Sequence, residues 1–362
     1  MPDGARVSAR GNRPRLRSAL AWLHLWVGLA VGTVFALVSL AGSVLVFHTE
    51  LLVATRPVLA EHSPVADGAV MGRLLTEWQP RGLTALDLPR EGLPVWQGYL
   101  ADGRRAYFAP EDGRLLLLRS HQDDWLMWLH HWHVELLGGP TGKAVLGIVG
   151  WMSLGLLASG LYLWWPKRGR MLAQLRWHAG PPVRRWLSWH RSSGVLALPL
   201  LGLATLTGVG MVYPNAFRTV LVAALGEHPA PVAAAGAAAP GEPDWRAVLA
   251  TADTALPGAR LARISAPAPD ATSLTFRAQA EGEWHPVGRS VVGVSRDGRE
   301  VLLRHDATAD RPGARLSHAI YPLHVAAVGG PGMKIALLIA GCLPLFLLIT
   351  GFLFWRRRRA GR

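Results

Sequence analysis

The stretch His133-Val-Glu-Leu-Leu-Gly-Gly-Pro-Thr-Gly-Lys143 opens an apolar run that ends at Trp164, and a closely similar skeleton begins at His324 and ends at Trp355. The residues shared by the two stretches are His, Gly, Gly, Pro, Lys, Gly and Trp, and each follows its counterpart by 191 positions without a gap. A repeat that keeps its register over this length indicates a duplicated structural unit.

The hydropathy of the chain indicates that the repeated unit is a membrane span. Half of the 362 residues are apolar and the mean hydropathy is positive, which is typical of a membrane protein. Four apolar runs each have about the 20 residues that cross a hydrocarbon core of about 30 Å. These runs are Leu20–Phe47, Ala144–Trp165, Val195–Tyr213 and Ile335–Trp355. The sequence therefore predicts a four-helix transmembrane bundle in a lipid bilayer.

The formal net charge of +14 is concentrated at the ends of these runs. The basic clusters are Arg6, Arg10, Arg13, Arg15 and Arg17; Lys167, Arg168, Arg170, Arg176, Arg184 and Arg185; and Arg356–Arg359. Because basic residues stay on the cytoplasmic side, both termini are predicted to be cytoplasmic, with residues 54–130 and 217–320 outside. Topology already accounts for the charge, so no nucleic-acid partner is predicted.

A weaker repeat relates the first and third runs. His24-x-x-x-Gly28 matches His190-x-x-x-Gly194, and Gly42 matches Gly208, all at a separation of 166 positions. The chain therefore divides into two halves, each made of a span, an outer segment and a second span. Both halves have the same orientation, so the predicted two-fold axis runs along the membrane normal.

Each outer segment has the pattern of a small α+β module. Helices are predicted at Ala69–Trp78 and Asp244–Ala255, and Asp-Gly turns separate short runs that predict strands. The predicted strands are Leu83–Leu88, Pro94–Leu100, Ala106–Ala109 and Leu115–Leu118, followed by Arg260–Ser265, Ser273–Ala278, Ser290–Val294 and Glu300–Leu303. An Ala/Pro-rich linker is predicted at Pro229–Pro243.

The predicted segments alternate between the membrane and its two sides. They are a basic tail at 1–17, transmembrane helix 1 at 18–53, outer module 1 at 54–130, transmembrane helix 2 with an outer extension at 131–165, a basic loop at 166–187, transmembrane helix 3 at 188–216, outer module 2 at 217–320, transmembrane helix 4 with an outer extension at 321–355, and a basic tail at 356–362.

Four histidines near the span ends form two symmetry-related pairs. A two-fold axis along the membrane normal places equivalent residues at equal depth, so His24 is predicted to face His190, and His133 to face His324. Ionisable residues within spans are rare and mark functional sites. Haem iron accepts axial imidazoles from facing helices, so the pairs predict two haems. The alternative for any one histidine is a hydrogen-bonded polar group inside the bundle.

Other histidines carry weaker signals. His48 and His130 are second-choice ligands, because the repeat places a proline and a tyrosine at the equivalent positions. Whether His130, His131 or His133 is the outer ligand stays open. Most other histidines of the outer segments are interpreted as polar surface residues. They include His62, His121, His228, His285 and His305.

The absence of several motifs narrows the chemistry. Cys342 is the one cysteine, and there is no C-x-x-C-H, so any haem must be held by coordination alone. The sequence has no dinucleotide-binding, Walker A, H-E-x-x-H or G-x-S-x-G motif. The predicted cytoplasmic segments are too short for a flavin or nicotinamide domain. Electrons are therefore predicted to come from quinol or from a separate donor on the cytoplasmic side.

Several of these stretches together resemble a known family. They are Leu23-His24-x-x-x-Gly28 running to Ala41-Gly42-Ser43-Val-Leu-Val-Phe47, His133-x-x-Leu-Leu-Gly138 with Gly160-Leu-Tyr-Leu-Trp-Trp165, Trp189-His190, and Pro322-Leu-His324 with Thr350-Gly-Phe-Leu-Phe-Trp355. The chain resembles, over nearly its whole length, the PepSY-associated transmembrane family of bacterial inner-membrane proteins. It departs from that pattern at His48 and at Ala41-Gly42, where Thr-Gly is usual.

The resemblance implies a fold and a function. The fold is a membrane protein with a four-helix transmembrane bundle and two periplasmic α+β (PepSY-like) modules, internally duplicated. The function is a haem-b oxidoreductase that reduces a ferric siderophore in the periplasm. His24 and His190 would then hold the cytoplasmic-side haem, and His133 and His324 the periplasmic-side haem. Two alternatives are a non-enzymatic PepSY protein that binds peptides or regulates a protease, and a haem carrier that serves another periplasmic acceptor.

Overall fold

The computed structural model describes residues 13–166, 171–226, 232–233, 241–268 and 271–361. These residues form two compact units. The helical unit comprises the described residues of Met1–Val44, Trp132–Val212 and Pro331–Arg362, and the sheet unit comprises those of Leu45–His131 and Tyr213–Gly330. Most of the predicted linker and the basic residues before position 13 lie outside the described residues.

The α-helices are numbered along the chain. They are α1 (Arg13–Leu45), α2 (His48–Thr55), α3 (Gly68–Trp78), α4 (Trp125–Glu135), α5 (Gly139–Trp164), α6 (Met171–Gln174), α7 (Pro182–Val212), α8 (Pro214–Leu225), α9 (Trp245–Ala255), α10 (Pro312–His324) and α11 (Gly330–Ala360). Four of them, α1, α5, α7 and α11, are long and apolar enough to cross a membrane. The prediction of four spans is therefore confirmed.

The spans differ from the predicted boundaries at their outer ends. Transmembrane helix 1 was expected to reach residue 53, but α1 ends at Leu45 and α2 begins at His48. Its 33 residues already extend about 50 Å, more than a bilayer core requires. Transmembrane helix 3 was expected to reach residue 216, but α7 ends at Val212 and Pro214 starts α8, because proline favours the first turn of a helix.

The two extended spans are each interrupted at the repeat. Residues 131–165 were predicted as one helix with an extension, but α4 and α5 are separated by Leu136 and Leu137, with φ angles of 50° and 58°. Residues 321–355 are likewise divided between α10 and α11, with Ala326 at φ 52°. Left-handed backbone cannot continue a right-handed helix. Each half therefore has a helix break just before its Gly-Gly-Pro sequence.

The strands of both outer segments belong to one sheet. They are β1 (Leu83–Asp87), β2 (Trp96–Leu100), β3 (Arg105–Phe108), β4 (Leu115–Arg119), β5 (Val232–Ala233), β6 (Arg260–Ser265), β7 (Ser273–Gln279), β8 (Ser290–Ser295) and β9 (Val301–His305). The order is β4-β3-β2-β1-β6-β7-β8-β9-β5 with antiparallel neighbours. The two predicted modules are thus not separate sheets, because β1 pairs with β6 around Leu86 and Ile264.

The main core lies between this sheet and the helices α3 and α9. Leu86, Ile264 and Phe276 are fully buried on that face of the sheet, together with side chains of both helices. The two helices approach closely, because Gly72 of α3 lies against the indole ring of Trp245 in α9 and leaves no room for a side chain. On the other face of the sheet, a smaller core joins α2 and α4 to β3. On this second face, α2 and α4 therefore cover the sheet at β3.

Candidate functional site

The four spans contact one another in a ring. Ser43 of α1 donates a hydrogen bond to the carbonyl of Leu338 in α11, and Gly150 of α5 lies against Val209 of α7. Within the described residues, α5 and α7 pack closely over much of their length, whereas α1 and α11 meet their neighbours at isolated points. Between 17 and 33 % of the most apolar window of each span is buried, so large apolar faces remain for lipid or a bound group.

The predicted inner pair is brought together across this ring. The ring centroids of His24 on α1 and His190 on α7 are 6.2 Å apart, and the planes of the two imidazoles are nearly perpendicular at 87°. Both side chains are mostly buried among apolar helices. The structure therefore brings these two imidazoles together, as the repeat predicts.

Hydrogen bonds at Nδ1 determine which nitrogen of each neutral imidazole is unprotonated and has a lone pair available to bind a metal ion. Nδ1 of His190 lies 2.9 Å from the carbonyl oxygen of Leu347, and a carbonyl can only accept, so Nδ1 carries the proton. Nδ1 of His24 lies 2.9 Å from the hydroxyl of Ser159, which donates its own proton to the carbonyl of Leu156. Nε2 is therefore the nitrogen with the lone pair in both rings.

A glycine on the neighbouring span lies beside each of these rings. A Cβ atom at Gly160 would lie 3.2 Å from Cε1 of His24, and one at Gly351 would lie 3.2 Å from Cε1 of His190. Both are tighter than ordinary van der Waals contact. Gly160 and Gly351 are members of the sequence repeat, and the structure assigns them the same role of making room for an imidazole.

His133 shares the same type of support. Its Nδ1 donates to the carbonyl of Val38 on α1 over 2.9 Å, and a Cβ atom at Gly42 would lie 2.7 Å from its Cε1. The ring of His131 lies 4.8 Å from that of His121 and 5.7 Å from that of His130. The geometry at His133 matches that of the inner pair, which favours His133 as a ligand among the three outer candidates.

The other predicted site residues lie in the sheet unit. His324 is the last residue of α10 and is partly buried. His48 begins α2, where burial and then the positive charges of Arg105 and Arg119 lower its pKa to about 4. His48 is therefore a neutral imidazole at physiological pH, which is the state that binds metal.

The inner pair fits the predicted cofactor on two counts. Two imidazoles that share one metal ion through bonds of about 2 Å have ring centroids roughly 6 Å apart, and the observed separation is 6.2 Å. Nε1 of Trp164 in α5 is also buried without a hydrogen-bond partner among the described residues. A buried hydrogen-bond donor requires an acceptor. A propionate group of haem would provide such an acceptor for the indole N–H of Trp164. His24 and His190 would thus be suitable ligands for a haem iron.

One residue that was interpreted as polar surface is buried. His285 is 8 % exposed, and its ring lies 5.0 Å from the ring of Tyr321 in α10. Nδ1 accepts a hydrogen bond from the backbone N–H of Val287. Burial and then the nearby guanidinium groups of Arg289 and Arg277 lower its pKa to about 3. The surface interpretation is therefore wrong for His285, which no local pattern distinguishes from an exposed histidine.

The buried neutral state of His285 predicts a loss of stability in acid. Between pH 6.5 and about pH 3, His285 is protonated in the unfolded chain but neutral in the folded chain. The free energy of unfolding therefore decreases as the pH falls through this range, by up to about 1.4 kcal/mol per pH unit. His285→Asn keeps an acceptor for Val287 and cannot titrate. We expect a flatter dependence of the thermal midpoint on pH, measured by tryptophan fluorescence. The exposed His121→Asn is the control, and equal slopes for the two variants would contradict the assignment.

The clefts along α3 do not coincide with the histidines. One, of about 420 Å³, is lined by Arg73, Trp78 and Arg81, and another, of about 570 Å³, is lined by Thr76 and Trp245. Both are open surface depressions without a predicted site residue. They therefore do not change the assignment of the histidine pair as the candidate site.

Comparison with known proteins yields one family. The sequence profile described as "PepSY-associated TM region" matches residues 21–358. The matched region includes most of each of the four spans, the sheet unit and all the candidate histidines. No curated protein matches the chain.

Proposed function

Because this match covers nearly the whole chain, the protein belongs to the PepSY-associated TM region family, and we propose that it is a haem-b electron-transfer protein of a bacterial inner membrane that reduces a ferric siderophore in the periplasm. The observation that carries the proposal is the pair His24 and His190, with ring centroids 6.2 Å apart and Nδ1 of each ring engaged. Peptide binding alone would not require this arrangement.

The proposed architecture follows from the repeat. Two halves of span, outer segment and span, with both termini in the cytoplasm, place His24 and His190 on the cytoplasmic side and His133 and His324 on the periplasmic side. The sheet unit is then the periplasmic part, made of two PepSY-like halves. The matching contacts of Gly160 with His24 and of Gly351 with His190 support this duplication.

The residues of the chain have defined tasks in this proposal. Haem b, when bound, supplies one-electron chemistry. Leu347 and Ser159 orient the two inner imidazoles through Nδ1, and such outer partners also raise the basicity of the ligand nitrogen. The apolar spans exclude water from the site. On the cytoplasmic side, quinol or a separate donor provides the electron.

The proposed reaction converts a ferric chelate to Fe(II) and the free chelator by addition of one electron. Siderophore oxygens are hard ligands that hold Fe(III) far more tightly than Fe(II), so reduction releases the metal. A bulky chelate cannot enter the bundle. The reaction is therefore assigned to the outer side, where His133 and His324 belong in the proposed topology.

Absorbance spectroscopy tests the proposal directly. Protein purified from haem-supplied cells is expected to show a Soret band and, on reduction with dithionite, the spectrum of a bis-histidine haem b. The reduced protein is then mixed with a ferric siderophore, and reoxidation is followed by stopped flow. We expect it to be faster than in His133→Ala. Protein without haem would favour the peptide-binding alternative, and haem that is not reoxidised by ferric chelates would favour a carrier for another acceptor.

A further inference from the structure

The face of the sheet opposite α3 and α9 carries a row of charged side chains. Asp87 on β1, Arg263 on β6 and Arg277 on β7 are direct neighbours across adjacent strands. Their flanking residues, such as Ile264 and Phe276, are fully buried on the other face, so the charged side chains share one face. Arg289, which precedes β8, and Arg105 on β3 extend this group. We call Arg105, Arg263, Arg277 and Arg289 the arginine face.

The carboxylates near the arginine face are largely occupied by other partners. Asp87 is 1 % exposed, accepts from the hydroxyl of Tyr99 over 2.9 Å, and is bound bidentately by Arg263. The oxygens of Glu283 accept from the backbone N–H groups of Ala280, Arg289 and Ser290. Neither carboxylate therefore makes an ion pair with Arg277 or Arg289.

Two arginines of this face lack an anionic partner. Within the described part of the chain, Arg277 forms no ion pair, although it lies directly opposite Arg263, and like charges in that position destabilise a sheet. Nε of Arg289 is buried without a hydrogen-bond partner. Burial and then Arg263 lower the pKa of Arg277, and burial and then Arg277 lower the pKa of Arg289 to about 10. An external anion would therefore gain ion pairs with Arg277 and Arg289 that no carboxylate of the described residues makes.

Aromatic rings accompany these cations. The guanidinium carbons of Arg263 and Arg105 lie 4.4 and 4.9 Å from the ring centroid of Tyr99. Tyr321 and the neutral His285 lie together near Arg289. Planar guanidinium groups bind carboxylate-type oxygens bidentately and stack on flat groups. The surface is thus suited to an anion that presents oxygen atoms and flat aromatic rings.

The width of the arginine face distinguishes between kinds of anion. Five strand spacings separate β3 from β8 in the sheet order, which is roughly 24 Å at about 4.8 Å per strand. A free phosphate or a lipid headgroup phosphate would contact one or two of these arginines. A large anion with several oxygen groups would contact more of them.

Resting on the proposed function, we propose that the arginine face binds the substrate, and that the substrate is a ferric chelate with net negative charge, of the catecholate or carboxylate class. Neutral and cationic hydroxamate chelates are then poor ligands. The inference names a substrate class for the sheet unit and is independent of how the haem is held.

Gallium chelates test this inference without electron transfer, because Ga(III) binds the same oxygen ligands as Fe(III) and is not reduced. Binding of a gallium tris(catecholate), which is anionic, and of a neutral gallium tris(hydroxamate) to the full-length protein is measured by calorimetry. We expect at least about tenfold tighter binding of the catecholate, and about a tenfold loss in Arg277→Gln and in Arg289→Gln. Arg299→Gln, an exposed arginine in the turn before β9, is the control and should bind like the wild type.

The competing outcomes are distinct. Equal binding of the two chelates, or equal binding by Arg277→Gln and Arg299→Gln, would overturn the inference. Competition by inorganic phosphate or by phosphatidylglycerol micelles as strong as that by the catecholate would assign the face to small phosphate groups instead and also overturn it. Thermal midpoints of the variants establish that they are folded. Tight gallium binding in a protein that reduces no ferric chelate would contradict the proposed function but not the inference.

Discussion

His190→Ala is expected to remove about half of the bound haem from the protein. His24 and His190 are proposed to hold the same iron, and loss of either imidazole would leave a buried cavity in place of one of its two protein ligands. His24→Ala should have the same effect. The double variant should retain the same half, because the remaining haem belongs to a different pair. Haem per protein is measured by the pyridine haemochrome method.

The pattern of losses makes this prediction specific. If the two histidines held different haems, each single variant would lose a different haem and the double variant would lose both. A double variant without haem would therefore place the two histidines at different irons. Exposed His121→Ala is the control and should keep the full haem content. Unchanged haem content in both single variants would remove the inner pair from the proposal. Ser159→Ala leaves His24 in place and is expected to shift the reduction potential without loss of haem.

Asp124→Ala is expected to lower the free energy of unfolding of the sheet unit by about 3–5 kcal/mol. Arg119 and Asp124 are 1 and 9 % exposed and form a bidentate pair with N–O distances of 2.7 and 2.9 Å. Asp124 also accepts from two backbone N–H groups at the start of α4. Removing it leaves the guanidinium of Arg119 buried without a counter-ion. The thermal midpoint should fall by roughly 10 °C.

An exposed ion pair provides the matched comparison. Arg114 and Asp112 are 68 and 60 % exposed and 3.9 Å apart, so Asp112→Ala should change stability by less than about 1 kcal/mol. Arg119→Met combined with Asp124→Asn removes both charges and keeps an acceptor for α4. It should therefore be more stable than Asp124→Ala alone. If the two single variants unfold at the same temperature, the buried pair is not the source of stability.

Local sequence patterns predicted most of the secondary structure. Four apolar runs gave the four spans, and the strand predictions agree with β6 and closely with β1 and β7. Hydropathy could not locate the outer ends of the spans, because apolar residues continue through the breaks at Phe47 and Leu136. The pairing of β1 with β6 was also missed, since it joins residues about half the chain apart and leaves no trace in local periodicity.

Only the histidines of the candidate site that belong to the sequence repeat could be predicted from the sequence. The equal spacing of His24 and His190 in their repeats predicted that they meet, and the structure brings them together. The arginine face has no repeat and no motif. Arg263 and Arg277 occupy alternate strand positions, where an arginine is the usual solvent-facing residue. Only the strand register shows that these two arginines lie side by side.

The seam between β1 and β6 bears on the ancestry of the chain. Antiparallel pairing of like strands is what two copies of one half would form about a two-fold axis, and a single half would expose β1 as an edge that recruits another strand. Under the proposed duplication, the ancestor was a homodimer joined at this edge. Each contact beside the axis then occurred twice. In the fused chain, Asp87 faces Arg263 on one side of Leu86 and Ala85 faces Ser265 on the other. After fusion the two contacts could differ in sequence, and only the contact between Asp87 and Arg263 is charged.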